Sequence, residues 1–412
     1  MRSRVSRLRA CCGVRTARFT AWRRPARARS IMPAALPRRE SEIEFGFALT
    51  RSEATGYCVR GPTVWPDQPR RDAMSSGAAA LAEQQAQGGI ETILAKFDTH
   101  YVWNYGVSKQ ALRDLYEKAK REQWNGTTQL AWDTSVDPER GILPEELNPL
   151  HEYEPYRKLD DKQKIRLRHG QVALQLSQFL HGEQGALIVA SQLVGGVPWM
   201  DAKYYAGTQT VDEARHVEVF ARYLNEKLEW EWPINASLRE LLDATISDTR
   251  WDFKYLGMQI IIEGLAMAAF GNLHQIAQEP LLKDLLKYVM KDESRHVAFG
   301  VLSLRGWYED LPANELRDRE DFVIYACELM RDRLIGSDIA DLMGWNPADV
   351  RRHVLESPAL QIFRRMLFAR IVPNLKKLGM LTPRVREAFE RLGILQFEDY
   401  DSEAMDKQLG FL

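Results

Sequence analysis

The chain has 412 residues, of which 45% are hydrophobic and 27% charged, so it can bury a sizeable core; a disulfide-stapled miniprotein and a wholly disordered chain are excluded. The net charge of −1 hides an asymmetry: residues 1–39 hold twelve Arg with no Lys and no acid, leaving 44 basic against 57 acidic side chains in residues 40–412, which argues against a nucleic-acid-binding surface. None of the four cysteines, Cys11, Cys12, Cys58 and Cys327, belongs to a C-x-x-C pair, so a thiolate zinc site, rubredoxin-type iron and a disulfide framework have no footing.

The Arg-rich start lacks the continuous apolar core of a secretory signal. It reads as an organelle transit peptide or, the preferred reading, as an over-extended gene start with the true one at Met32 or Met74. Residues 1–85 are expected to stand outside the chemistry. No run of 18 apolar residues occurs, so no membrane span is expected, and the cytoplasm is the expected location.

From residue 90 apolar side chains recur at three- and four-residue spacing, which predicts helix through about 124, followed by a turn-rich stretch to 150. Helices are then predicted over 160–194, ended by Gly195, Gly196 and Pro198, and over 200–228, ended by Pro233 and Asn235. Further helices are expected over 236–276, 279–308, 317–343, 356–376 and 383–392. Alternating runs of the β type are almost absent. The fold class is therefore all-α: peripheral helices and a loop over 90–150, a four-helix bundle over 160–310 and a helical extension over 311–412.

Two segments carry the chemistry. Both VDEARHVEVF (211–220) and KDESRHVAFG (291–300) contain D-E-x-R-H, placing Glu213 with His216 and Glu293 with His296 three residues apart on one helix face. Each is preceded, at a distance of 30 residues, by a Glu inside an apolar helix, Glu183 and Glu263, and the two halves are offset by 80 residues throughout. A single E-x-x-H on a helix is common surface charge. Here a hairpin unit repeats, and each upstream carboxylate sits where burial without a partner is costly. Four such carboxylates would repel one another in a dry core; two metal ions held also by two histidines neutralise them. Four Glu and two His suit iron or manganese better than zinc or copper.

Asp212 and Asp292 directly precede the ligand glutamates. Metal-bound histidines usually give their second N–H to a carboxylate, so a crossed pairing of Asp292 with His216 and Asp212 with His296 is plausible. Arg215 and Arg295 could keep these aspartates ionised or form surface ion pairs. His181 and His274 point to other faces or lie turns away and are not expected as ligands.

On Glu183, DEARH (212–216), Glu263 and DESRH (292–296), residues 160–310 resemble the ferritin-like di-iron carboxylate superfamily. The doubled motif is similar to that of the ribonucleotide reductase small subunit and bacterial multicomponent monooxygenases, with soluble desaturases and arylamine N-oxygenases nearby. The resemblance implies two Fe ions, with Mn/Fe as an option, and O₂ as co-substrate. Three departures stand out. Phe220 occupies the position of the reductase's radical Tyr, Met267 that of the hydroxylases' Thr, and Val289 that of the extra His ligand of arylamine N-oxygenases. No cysteine pairs of the rubrerythrin kind are present.

Small or apolar residues flank the proposed metals: Gly185, Ala186 and Ala190 after Glu183, and Gly264, Met267, Ala268 and Phe270 after Glu263. They read either as an apolar substrate pocket or as close helix packing. The leading expectation is an oxygenase that hydroxylates or oxidises a mostly apolar small molecule. The alternatives are an amine N-oxygenase or desaturase, and an iron-binding, ferroxidase-like or structural protein. No G-x-G-x-x-G or P-loop occurs, so electrons are expected from an external ferredoxin or flavoprotein reductase. A homodimer is an open option.

Overall fold

The computed structural model describes residues 89–401 and 404, apart from 334 and 337. The Arg-rich segment, the alternative starts, and Cys11, Cys12 and Cys58 lie outside the described residues. Helices, and no strands, form the regular structure among those described. Four of them make a ferritin-like bundle: α2 (Asp161–Gly196), α3 (Met200–Tyr223), α5 (Trp251–Ile276) and α6 (Pro280–Leu304). Helix α1 (Gln110–Arg121) lies across α3 and α6, α4 (Ala236–Ser247) packs on α2, and α7 (Ala313–Asp332) packs on α4.

The 36-residue α2 starts in a capping box, with Asp160 accepting from the Gln163 amide at 2.8 Å and Gln163 accepting from the Asp160 amide at 3.0 Å. It runs through both glycines expected to end it and stops at Val197, just before Pro198. By length and hydropathy α5 could cross a membrane, yet 89% of that window is buried inside the protein, as expected for a central core helix.

Four expected helices differ. Residues 89–108 are not helical. They are rich in β-branched and aromatic residues, which are poor helix formers, and tertiary contacts fix the segment instead. The His100 amide bonds the Gly195 carbonyl at 2.9 Å, and Asp201 accepts from the Ser108 and Lys109 amides at 2.8 Å each. The expected 236–276 helix breaks between α4 and α5, where Asp248 accepts from the Arg250 amide at 2.8 Å in a side-chain turn that competes with the helix. The expected 317–343 helix ends at Asp332, and a short helix resumes at Ile339–Met343. Gly336 between them has φ +70°, a left-handed conformation that stops a helix.

The expected 356–376 helix is two pieces, α9 (Pro358–Met366) and α10 (Ile371–Lys377), and an unexpected helix, α8 (Pro347–Glu356), precedes them; prolines open α8 and α9. The last helix, α11 (Pro383–Leu392), is capped by Thr382 and ends at Gly393. One core fills the bundle. A smaller apolar cluster of Leu150, Tyr156, Leu167, Ile335, Ile339, Val350, Val354 and Leu360 lies between α2, α8 and the start of α9.

Candidate metal centre

The four bundle helices bring the six sequence-predicted residues together. Glu183 comes from α2, Glu213 and His216 from α3, Glu263 from α5, and Glu293 and His296 from α6; none is more than 5% exposed. Ligand atoms of Glu183, Glu213, His216 and Glu293 lie within 4.8 Å of one another, and those of Glu213, Glu263 and His296 form a second such group. Glu213 belongs to both groups. Glu293 reaches both histidines, with Oε1 3.1 Å from His216 Nδ1 and Oε2 3.5 Å from His296 Nδ1. The six residues would hold two metal ions, with Glu213 and Glu293 lying between the two histidines and Glu183 and Glu263 each in one of the groups.

The donor atoms fit such a pair. Glu213 Oε2, Glu263 Oε2, both oxygens of Glu293 and His296 Nδ1 are buried without a hydrogen-bond partner. Each orphan costs about 1–3 kcal/mol, and two cations would satisfy them together. The charge balance agrees. Burial, then Glu293, pushes the Glu183 carboxyl up to about 8. Burial, with Glu293 and Glu213 behind it, holds Glu263 well above the carboxylate range. Burial opposes charge on the imidazoles, but Glu183 beside His216 and Glu213 beside His296 raise them well above their ordinary value. Burial likewise opposes ionisation of Glu213, yet the two histidines hold it below the usual carboxylate range. This is a cluster with more acid than it can ionise unaided. The all-oxygen-and-imidazole donor set suits two iron ions or a manganese–iron pair.

Behind the ligands, the aspartates are crossed. His216 Nε2 lies 3.1 Å from Asp292, and His296 Nε2 lies 3.3 Å from Asp212. Each Nδ1 is thereby left facing the metal positions. Arg215 bonds Asp212 and, at 2.9 Å, Asp292; Arg295 bonds Asp292 and, at 3.5 Å, Asp212. Both arginines are nearly buried, so they form an internal charge layer and not surface pairs. Burial opposes ionisation of Asp292, but His216 and the two arginines hold its carboxyl far below the usual range.

The sequence reading missed several partners. Past the end of α1, Trp124 Nε1 donates to Asp292 at 2.6 Å and Gln123 Nε2 donates to Asp212 at 2.8 Å; Glu122 accepts from Arg295 at 2.8 Å. No periodic signal marks this cap on the charge layer. Gln209 had one: it sits one turn before Glu213 on the same face. Its Nε2 donates to Glu213 at 2.9 Å and to Glu263 at 2.8 Å. Arg333 was also missed. His181, set aside as a ligand, bonds the Trp232 carbonyl at 2.8 Å, and His274 is half-buried on the last turn of α5.

The glycines do not open a substrate pocket at the metals. A Cβ on Gly185 would meet Leu242 at 2.4 Å, and one on Gly264 would meet Ile371 at 3.3 Å, so both serve close packing. The space beside Glu183, Glu263 and Glu293 is only about 10 Å³, closed by Phe179, Ala186, Ile262 and Phe270 among others. Phe220 is fully buried 5.7 Å from the Phe270 ring, in an apolar wall with no hydroxyl. Ahead of Glu263, residues Leu256–Ile262 form a wide π-helical turn, a feature frequent at functional sites.

The family model described as P-aminobenzoate N-oxygenase AurF matches residues 107–379, which span all six metal-site residues. No curated protein matches the chain. Among solved structures, an R2-like ligand-binding oxidase with aerobically reconstituted Mn/Fe cofactor (long soak) is 17% identical, covering 68% of this chain and 99% of that one at a TM-score of 0.41. Another, with aerobically reconstituted metal cofactor after photoconversion, is 16% identical, covering 67% and 99% at a TM-score of 0.39.

Proposed function

The chain belongs to the AurF family of p-aminobenzoate N-oxygenases, and on that premise we propose that it is a di-metal oxygenase acting on the nitrogen of an amine. The observation that carries the reading is the coincidence of the family match with a buried Glu₄His₂ cluster of two overlapping ligand groups. This displaces hydroxylation of an apolar compound from the leading place. The chain has the fully buried Val289 where arylamine N-oxygenases carry their extra His, so the reading is of a six-ligand member.

The metal pair, when bound and reduced, would supply O₂ activation. What the protein contributes follows from its own groups. Asp292 and Asp212 hold protons at His216 Nε2 and His296 Nε2 and so present both Nδ1 atoms inward. Gln209 pins Glu213 and Glu263 from one side through a single amide. Phe179, Phe220 and Phe270 keep water from the centre. The buried Arg215 and Arg295 hold Asp292 charged and also pair with Asp212. N-hydroxylation of an amine consumes O₂, two electrons and two protons and yields a hydroxylamine and water. We therefore propose an external donor, a ferredoxin or a flavoprotein reductase.

The test loads the chain anaerobically with Fe(II), counts metal, and exposes the reduced protein to O₂ with a panel of aryl and alkyl amines. Hydroxylamine, nitroso or nitro products support the reading. Hydroxylation at carbon alone would restore the apolar-hydroxylase reading. Iron oxidation with no organic product would overturn both.

A further inference from the structure

The rings on either side of the metal centre differ in kind. Seven residues past Glu213 and Glu263 stand Phe220 and Phe270, with Phe179 4.6 Å from the Phe270 ring. Eight residues ahead of the same two glutamates stand Tyr205 on α3 and Tyr255 on α5. Both are fully buried, and neither hydroxyl has a hydrogen-bond partner. Burial pushes both hydroxyls up from the ordinary phenol value, so they keep their protons. A phenylalanine would fill either place without stranding a donor. What a phenol adds to the bare ring is that a strong oxidant can take an electron from it.

The two phenols belong to an unbroken file of rings. Between centroids, Tyr205 lies 4.4 Å from Phe299 of α6, and Phe299 lies 5.0 Å from Tyr255. Tyr255 lies 5.8 Å from Trp251 at the start of α5, and Trp251 lies 5.3 Å from Trp199 and 4.6 Å from Trp307. These are contact distances for aromatic pairs. The inner end of the file meets the charge layer, where the Tyr205 hydroxyl lies in the fields of His296, Arg295 and Asp212. At the outer end Trp199, Trp251 and Trp307 are only half-buried. Trp124, bonded to Asp292 and stacked 4.8 Å from Tyr288, is the rival aromatic contact with the charge layer.

We propose that Tyr205, Tyr255 and Trp251 form a relay that carries oxidising equivalents from the metal centre to Trp199 and Trp307, where a small thiol quenches them. The relay rests on O₂ activation at the metal pair and not on the choice of an amine as substrate. Reduction of O₂ to two waters takes four electrons and four protons. The reduced pair holds two of the electrons, and an amine, when bound, supplies the other two from its nitrogen. Without an amine those two come along the file. Each phenol gives an electron and its hydroxyl proton inward and recovers both from the outer side. Two thiols supply the two electrons and two protons and leave as one disulfide, and solvent supplies the other two protons. The relay spares the ligands from oxidation when the site fires empty.

The test exposes the reduced, iron-loaded full chain to O₂ without any amine, with catalase present to remove free peroxide, and maps oxidised residues by peptide mass spectrometry. Oxygen should be added at Trp199, Trp251 or Trp307. 2-Mercaptoethanol should suppress that addition and form one disulfide per O₂. Tyr255→Phe, which removes only an unpartnered hydroxyl, should lower both the indole oxidation and the disulfide yield tenfold or more; Tyr205→Phe serves if that variant does not fold. Unmodified indoles in the wild-type protein overturn the proposal, whatever the variants do. Equal indole oxidation in folded Tyr255→Phe and Tyr205→Phe overturns it, as does a loss confined to Trp124→Phe. The amine panel is run separately. N-oxygenated products with unmodified indoles end the relay alone, and oxidised indoles with no amine product end the N-oxygenase reading alone.

Discussion

The two halves of the metal centre share one sequence pattern and differ in what surrounds it. In the α2–α3 half, Glu183 follows an unbroken helix, and next to it lie Arg333 and a sizeable cavity. In the α5–α6 half, Glu263 follows a wide turn, and Gln209 holds it beneath a closed apolar wall. The 80-residue offset maps Gln209 onto Val289, so a bonding amide in one half becomes a fully buried methyl pair in the other. Duplication thus accounts for the candidate ligands, while the neighbours differ: a guanidinium beside Glu183 and a bonding amide beside Glu263.

Substitutions at the ligands should break this comparison most severely. Glu213→Ala removes a carboxylate common to both groups and should empty both positions, whereas Glu263→Ala should leave one metal, in the α2–α3 half; elemental analysis counts them. Two metals retained in Glu213→Ala would refute the role of Glu213 in both groups. Next come the aspartates. Asp292→Asn and Asp212→Asn should each weaken metal binding by about 10–100-fold. Competition with a chelator should show the larger loss for Asp292, which also holds Trp124.

Protons give the third test. In the metal-free protein Glu183 keeps its proton up to about pH 8, above the ordinary 4.5, and metal must displace it. Loading at pH 7 in weak buffer should release protons, seen with an indicator dye, and affinity should rise between pH 6 and 8. A folded-state carboxyl pKa raised above its unfolded value stabilises below 4.5 and loses that stabilisation as pH rises toward 8. The raised imidazoles lose theirs in the same direction. The metal-free protein should therefore melt at lower temperature as pH rises through this window, and the loaded protein should not. The smallest effect is expected at Gln209→Leu, a loss of about 1–3 kcal/mol in chemical denaturation, with metal loosened at the Glu263 end first.

The bundle was legible because burial imposes a period: apolar spacing marked α2, α3, α5 and α6, the duplicated D-E-x-R-H marked four candidate ligands and two aspartates, and the repeated 30-residue spacing marked Glu183 and Glu263. What escaped depended on contacts distant in sequence. Asp201 lies 93 residues from Ser108 and holds residues near 108 out of a helix. Trp124 is 168 residues from the Asp292 it bonds. Arg333 follows a helix that periodicity extended too far, and only the folded chain shows its idle N–H groups beside Glu183. Gly185 and Gly264 stayed ambiguous for a related reason: a missing side chain reads equally as room or as close packing until Leu242 and Ile371 are seen to fill it.

The wide turn at Leu256–Ile262 also bears on how this protein could be re-engineered. A π-helical turn holds about one residue more than an ordinary turn. Deleting one residue there should let α5 close into a regular helix with its two ends still in register, because the extra residue is taken up within the turn. Asp252, 2.9 Å from Arg319, and Tyr255, against Phe299, should then keep their partners. A shortened α5 would be a regular helix on the same contacts, and any change in metal binding at Glu263, which directly follows the turn, would measure what the wide turn contributes.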